Sequence, residues 1–376
     1  MFLSKGANVL SLFDGKSSGR TACDLSGIGV DKYYAAEIDK YANIVSNALY
    51  PNIIRLGDVT KWREWDIDWA SIDLLLAGSP CQGFSFAGKQ LAFDDPRSAL
   101  FFVFIDIRNH IDSERMKAGK TPVKFMLENV KMKQEFLTVI SDLVSVEPVF
   151  INSALVSAQN RQRYYWCNWD VPQPEDRNIT WGDVREHDVD LTNFYYTEKG
   201  INWLINHSRR KNKTLKVHGD SEKMQMIEAS HFKNYSSQRF FGICDIPSDA
   251  EAVASLRGRR IDPETMKRVD HRMDITPVQH VEFRYDSKSN CLSTVGKDNI
   301  VVPFTLPNRI PQHEFFFRYI TPRECFRLQT VQEHLIDKIL SCGVSNTQLY
   351  KIAGNGWTDE VIAHNLRHSR LCNANT

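Results

Sequence analysis

The sequence lacks a dominant charge: 47 Lys and Arg face 46 Asp and Glu, for a formal net charge of +1. A polycation that coats nucleic acid over its whole surface is thereby excluded, and any nucleic-acid contact must be a local patch. Metal-ligand spacing is also missing. The eight cysteines stand at 23, 81, 167, 244, 291, 325, 342 and 372. No two form a Cys-x-x-Cys pair, and no Cys/His spacing suits zinc, so no metal site is expected. Scattered single thiols suggest a reduced, intracellular protein. No apolar run reaches the roughly 18 residues of a membrane span. The opening Met1-Phe2-Leu3-Ser4-Lys5 has no signal-peptide pattern. Internal repeats and low-complexity tracts are absent, which excludes solenoids and biased tails.

What is present suits a globular chain of two domains: 376 residues, 42% hydrophobic and 25% charged. Up to about residue 170, short apolar runs alternate with helix-like segments. The runs are Val9–Phe13, Tyr33–Ile38, Leu74–Ala77, Lys124–Leu127, Val149–Leu155 and Arg163–Trp166, and the helical candidates include Tyr41–Leu49, Ala99–His110 and Gln134–Val144. This alternation predicts an α/β domain with a parallel sheet buried on both faces. The pattern changes at Val171-Pro172-Gln173-Pro174. From there to about 315 the chain is polar, aromatic and irregular. Between 199 and 260 it carries 12 Lys and Arg against 6 Asp and Glu, clustered at Arg209-Arg210-Lys211-Asn212-Lys213 and Arg257-Gly258-Arg259-Arg260. Such clusters are either solvated surface or a nucleic-acid patch. Apolar periodicity returns after Phe317, through Glu324–Leu328, Leu335–Leu340 and Val361–Leu366. The expected division is a catalytic domain of 1–174 completed by 318–376, with a smaller irregular domain of 175–317 between them.

The most informative segment is Ser79-Pro80-Cys81-Gln82. It follows the apolar run Asp73–Gly78 and opens into Gly83-Phe84-Ser85. A buried strand there ends in a turn that carries one cysteine, and strand ends are where open α/β sheets place reactive groups. Proline beside it restricts the backbone. Cys81 is either a held nucleophile or a buried structural thiol. Upstream, Val9–Phe13 turns through Asp14-Gly15-Lys16-Ser17-Ser18-Gly19, a glycine turn ahead of a helix. Glu37 closes the second strand, where an acid can hold ribose hydroxyls, and Asp58 of Leu56-Gly57-Asp58-Val59 could accept from an adenine amino group. With only two glycines, the turn is a poor dinucleotide fingerprint, but turn, acid and Asp in this order suit a nucleoside cofactor. Glu128 ends the run Lys124–Leu127 and is either a crevice carboxylate or a capping or ion-paired Glu. Arg161 and Arg163, two apart, would project from one face of a strand. They suit a phosphate and a base carbonyl, or form surface charge beside an aromatic strand.

In this order the motifs resemble the DNA cytosine-C5 methyltransferase family. The resemblance rests on Phe13-Asp14-Gly15, Glu37, Gly57-Asp58-Val59, Ser79-Pro80-Cys81-Gln82, Glu128-Asn129-Val130, Gln159-x-Arg161-x-Arg163, Arg318-Tyr319-Ile320-Thr321-Pro322-Arg323-Glu324-Cys325 and Gly354-Asn355-Gly356-Trp357. It covers nearly the whole catalytic framework, and Asn290–Val295 resembles the end of the recognition domain in bacterial and phage members. Lys16-Ser17-Ser18 replaces a glycine-richer loop, and it and Trp357 resemble the animal de novo enzymes. No PWWP-like or zinc-rich module accompanies these motifs, as in a stand-alone catalytic unit.

The resemblance implies a Rossmann-like S-adenosylmethionine-dependent domain with a target-recognition domain of 175–317. It implies that Cys81 attacks cytosine C6 as a thiolate, that Glu128 hydrogen-bonds N3 and the exocyclic amine, and that Asn129 helps fix that geometry. Arg163 would favour the thiolate, and Arg161 or Arg163 would polarise O2. S-adenosylmethionine would be lined by Phe13, Asp14, Gly15, Glu37, Ile38, Asp58, Val59, Pro80, Leu100, Asn355 and Trp357. Double-stranded DNA would meet Gln82, Ser85, Arg209, Arg210, Lys211, Arg257 and Arg259, with Gln82–Phe86 either a closing loop or a fixed turn. A monomer is expected, in the cytoplasm of a bacterium or phage-infected cell, or in the nucleus of a eukaryote. Two alternatives stay open: a tRNA cytosine methyltransferase, whose Cys-Phe-Thr signature is absent here, and an inactive DNA-binding paralogue.

Overall fold

The computed structural model describes residues 6–78, 99–187, 189–190, 194, 223, 241–244, 253–260, 274, 278–282, 298–301, 317–318 and 320–371; at 99 and in the strands from 241 to 318, only the backbone. Seven strands form one sheet: β1 Ala7–Leu12, β2 Val30–Ala36, β3 Ile54–Arg55, β4 Leu74–Gly78, β5 Lys124–Val130, β6 Val149–Asn152 and β7 Gln162–Cys167. Their order is β3-β2-β1-β4-β5-β7-β6. The chain reverses its direction of growth between β1 and β4, and the crevice beyond those strand ends is where such sheets bind ligands.

The expected all-parallel sheet needs one correction. Neighbours from β3 to β5 are parallel, but β7 runs antiparallel to both β5 and β6. The cause lies in the connection from β6 to β7, which holds only the 3-10 turn Ser153–Leu155. A parallel crossover needs a dozen or more residues, so the chain must fold straight back. The run Val149–Leu155 is accordingly strand only as far as Asn152.

The period of two along each strand feeds two cores. On one face, Leu10, Leu12, Leu75, Ala77, Phe125 and Leu127 meet Phe101, Phe104, Phe136 and Ile140. These come from helices α3 Ala99–Lys117 and α4 Gln134–Val144. Helix α3 outruns its expected end at His110 because apolar Ile111 still faces this core and Arg115 is anchored by the carbonyls of Ile72 and Thr121. It stops before Gly119, whose φ is +69°. On the opposite face, Val9, Leu74, Leu76 and Met126 meet Ala22 of α1 Ser18–Ser26. Helix α2 Lys40–Leu49 follows β2.

Four helices follow residue 320: α5 Pro322–Leu328, α6 Glu333–Ser341, α7 Asn346–Asn355 and α8 Asp359–Arg367. Thr321 opens α5 with a complete capping box, Thr321 and Glu324 exchanging bonds. Val361, Ile362 and Leu366 of α8 join the core of β1, β4 and α1, so the end of the chain covers the sheet begun by its start.

A second sheet corrects the reading of 175–315 as irregular. It contains β8 Phe241–Cys244, β9 Val253–Arg259, β10 Val278–Glu282, β11 Asp298–Val301 and β12 Phe317–Arg318 in the order β10-β9-β11-β8-β12. Its longest strand reads Val-Ala-Ser-Leu-Arg-Gly-Arg, and glycine with two arginines hides the apolar alternation by which strands are recognised. Among the described residues, no helix is long and apolar enough to cross a membrane, and no His/Cys/Asp/Glu group could hold a metal ion.

Candidate active site

The turn after β1 is built from left-handed residues. Phe13, Gly15 and Ser17 have φ of +58°, +58° and +67°. Glycine takes this conformation freely, whereas Phe13 and Ser17 hold it at a cost of about 1–3 kcal/mol each. The end of β2 fixes the turn: the Asp14 N–H donates to the Ala36 carbonyl at 3.1 Å, and the Gly15 N–H donates to Glu37 Oε2 at 2.9 Å. Glu37 also accepts from the N–H groups of Ile38 and Asp39 at 2.8 and 2.7 Å, which locks its carboxylate at the crevice edge. Beside it, Ile38 is 77% exposed. Asp58 caps the turn that begins at Val59, accepting from the Thr60 N–H and hydroxyl, and those bonds hold its carboxyl below the usual carboxylate range. Val59 is buried, and Leu100 and Phe13 pack, half-buried, on the same core.

Asp14 lies beneath this turn. It accepts from the Ser17 hydroxyl at 2.5 Å and the Tyr33 hydroxyl at 2.8 Å. Burial pushes its pKa from 3.8 up to about 6, against the pull of the Ser11, Ser17 and Tyr33 hydroxyls. The folded state therefore holds this proton more tightly than the unfolded chain. The associated stability is fully present below pH 3.8 and is lost as the pH rises through about 6. Asp14→Asn, which never ionises, escapes that loss. Its stability relative to wild type should rise between pH 4 and 7 by on the order of 3 kcal/mol. Urea unfolding across that range is the measurement, and a pH-independent difference would refute the buried-proton account.

The second half of the site lies at the ends of β4, β5 and β7. Gly78 pairs with Glu128 across the parallel β4–β5 ladder, and Glu128 faces Tyr165 of β7. Glu128 is 8% exposed. Its Oε1 lies 2.8 Å from Arg163 Nε, and its Oε2 accepts from the Trp357 indole N–H at 3.1 Å. Asn129 is buried beside it, its side-chain oxygen accepting from the Val130 N–H. Burial pushes the Tyr165 hydroxyl pKa far up, and the Glu128 carboxylate adds to the rise.

Arg161 has a different task from Arg163. It lies one residue before β7 and donates to the carbonyls of Gly354 and Gly356 at 3.4 and 2.9 Å. It thus grips the last turn of α7, which carries Asn355, and the residue just before Trp357. Asn355 is exposed and Trp357 buried. Of the residues expected at the site, Pro80, Cys81, Gln82, Ser85, Arg209, Arg210 and Lys211 lie outside the described residues, as does the Gln82–Phe86 loop. Arg257 and Arg259 occupy β9 opposite His280 and Val278.

Sequence reasoning missed a buried ion pair that joins the two ends of the chain. Lys16 Nζ lies 2.9 Å from both carboxylate oxygens of Asp359, with neither side chain exposed. No local pattern signals it, since the partners are 343 residues apart. Gln329 was missed as well. It donates to the Ala353 and Gly356 carbonyls and accepts from the Thr358 hydroxyl.

A family model described as C-5 cytosine-specific DNA methylase matches residues 7–367. The orphan methyltransferase M.SPRI of Bacillus phage SPR is 26% identical, over 94% of this chain and 95% of its own length. The type II methyltransferase M.HpaII of Haemophilus parainfluenzae is also 26% identical, over 92% of this chain and 84% of its own. Among solved structures, the Dnmt2 methyltransferase of S. pombe covers 96% of this chain and 97% of its own at a TM-score of 0.58 and 16% identity. The Entamoeba histolytica methyltransferase EhMeth covers 97% and 98% at 0.62 and 13%. At those identities the structural likeness speaks for the fold.

Proposed function

The chain belongs to the C-5 cytosine-specific DNA methylase family, and from that premise we propose that it methylates C5 of a cytosine flipped out of duplex DNA, using Cys81 as the nucleophile. The observation that carries the proposal is Glu128, a carboxylate held by Arg163 and Trp357. It lies beside Gly78, three residues ahead of Cys81.

S-adenosylmethionine, the methyl donor of this family, fits the residues at the ends of β1 and β2. A Cβ at Gly15 would meet no atom within 4 Å, so the turn leaves room for a ligand. Glu37 offers acceptor oxygens for ribose hydroxyls, exposed Ile38 an apolar surface for a base, and Asp58 an acceptor for an amino group. When bound, the cofactor supplies an electrophilic methyl group.

Cytosine C5 is a weak nucleophile, and the protein must push electrons into the ring. Cys81 Sγ would bond to C6 as a thiolate, while a proton shared between Glu128 and N3 neutralises the charge that develops on the ring and Glu128 accepts from the exocyclic amine. Arg163 would keep the Glu128 carboxylate in place. C5 would then take the methyl group, lose its proton to a base, and expel the Cys81 thiolate. Flipping the base out of the stack costs a few kcal/mol. Region 175–317, with its second sheet and the clusters at Arg209–Lys211 and Arg257–Arg259, would hold the duplex, and Gln82 and Ser85 would approach it beside the nucleophile. The basic side chains would bind phosphates and so position the duplex without reading its sequence. The residues named in this reaction all belong to one chain, so the reading calls for no second subunit.

Trapping tests this reading. Fluorine at C5 cannot leave as a proton does, so the enzyme should stay bonded to 5-fluorocytosine. With S-adenosylmethionine present, a denaturant-stable adduct is expected on 5-fluorocytosine DNA and none on the matching RNA. An adduct on RNA alone would replace the substrate assignment, and none on either would refute the covalent chemistry.

A further inference from the structure

Among the described residues two side chains hold Glu128, and Arg163 is the one that comes from the sheet. The other, Trp357, lies 229 residues away in sequence and donates its indole N–H to Oε2 at 3.1 Å. An indole N–H donates only and never titrates, so it marks one carboxylate oxygen as acceptor and fixes the plane of the group.

The ring has little freedom to do otherwise. It lies against the ends of β4 and α1. A Cβ at Gly78 would sit 2.8 Å from the indole nitrogen, and one at Gly19 would sit 3.6 Å from the ring. The loop behind the ring is pinned on both sides of Trp357. Arg161 holds the carbonyls of Gly354 and Gly356. Gln329 holds those of Ala353 and Gly356. Thr358 bonds Gln329 and Ser153, and Asp359 bonds Lys16. Bonds on five of the seven residues from Ala353 to Asp359 exceed what simple packing of an apolar ring requires.

We propose that Trp357 is a positioning residue for Glu128. Its indole N–H sets the orientation in which the carboxylate meets the flipped cytosine, and Arg161 serves the same end by holding the Trp357 loop. The proposal rests on the reading of Glu128 as the catalytic carboxylate.

Trp357→Phe keeps an aromatic ring over Gly78 and Gly19 and deletes the N–H. The expected result is a kcat lower by roughly tenfold to a hundredfold, the range for a hydrogen bond to a charged group. The KM for S-adenosylmethionine should stay within about twofold of wild type, because only the chemical step loses an interaction. In a Glu128→Gln background the same change should add less than about twofold, since both act through one carboxylate. A raised KM with kcat unchanged would make Trp357 a cofactor contact and overturn the proposal, as would a kcat within twofold of wild type. If Glu128→Gln itself kept the wild-type rate, the reading of Glu128 would fail instead. Should the Phe variant not fold, Gly78→Ala, whose methyl group displaces the indole nitrogen, is judged by the same split between kcat and KM.

Discussion

Cys81→Ser should abolish methyl transfer to DNA while leaving the binding of S-adenosylmethionine and of the duplex largely intact. A serine hydroxyl stays protonated at neutral pH, whereas a cysteine needs only a modest push to become a thiolate. No other thiol with a described side chain can stand in. Cys23, Cys167 and Cys325 are buried in the core, and burial pushes the pKa values of Cys167 and Cys325 far up, leaving those two inert. Cys342 lies at the end of α6, its thiol donating to the Ile339 carbonyl. The loss should therefore be at least roughly 10³-fold in kcat, as when a nucleophile is removed elsewhere. Methyl incorporation by the purified variant is the measurement, with cofactor titration to show that the site survives. A rate within about tenfold of wild type would remove Cys81 from the mechanism.

The second large effect concerns the Lys16–Asp359 pair. Burial pushes the Asp359 carboxyl up, and the Lys16 ammonium opposes that rise. Removing one partner strands a charge among buried atoms, which costs about 3–5 kcal/mol. Asp359→Ala should destabilise the protein by that amount. It should also weaken cofactor binding, because Lys16 stands between Gly15 and Ser17 in the turn after β1 and would leave that turn to reach water. Removing both charges is a different matter. Lys16→Met combined with Asp359→Leu should come within about 1 kcal/mol of wild type or exceed it, since apolar replacements of buried pairs are often neutral or stabilising. Urea unfolding of the two variants, with cofactor titration, tests both statements. A single variant as stable as wild type would mean that the pair contributes nothing.

What could be read from the sequence depended on how local each cause is. Leu74–Ala77 is unbroken and apolar because both faces of β4 are covered, which makes that strand legible without a structure. Glu128 and Arg163 could each be placed at strand ends, although their ion pair requires β7 to lie beside β5. The direction of β7 follows from a connection too short for a crossover, a constraint of length that composition does not display. The strands of the second sheet escaped because Arg257, Gly258 and Arg259 interrupt the apolar alternation in β9. The hidden part of the site is the part made by return of the chain: Lys16 with Asp359, Arg161 with the Gly354 and Gly356 carbonyls, and Trp357 with Glu128. None has a partner near in sequence, and the packing of α8 on α1, with the bonds from Gln329 and Ser153, brings them together.

That return also sets a schedule for synthesis. Lys16 and Asp359 are separated by 343 residues, which a ribosome adding ~5–20 residues per second makes in roughly 20–70 s. During that interval the turn after β1 carries an unpartnered ammonium, and Glu128 lacks its indole donor. A nascent chain can thus build most of the sheet before it can hold the carboxylate in its final geometry. A chain cut short between Glu128 and Trp357 would therefore carry the proposed nucleophile and Glu128 without the indole donor.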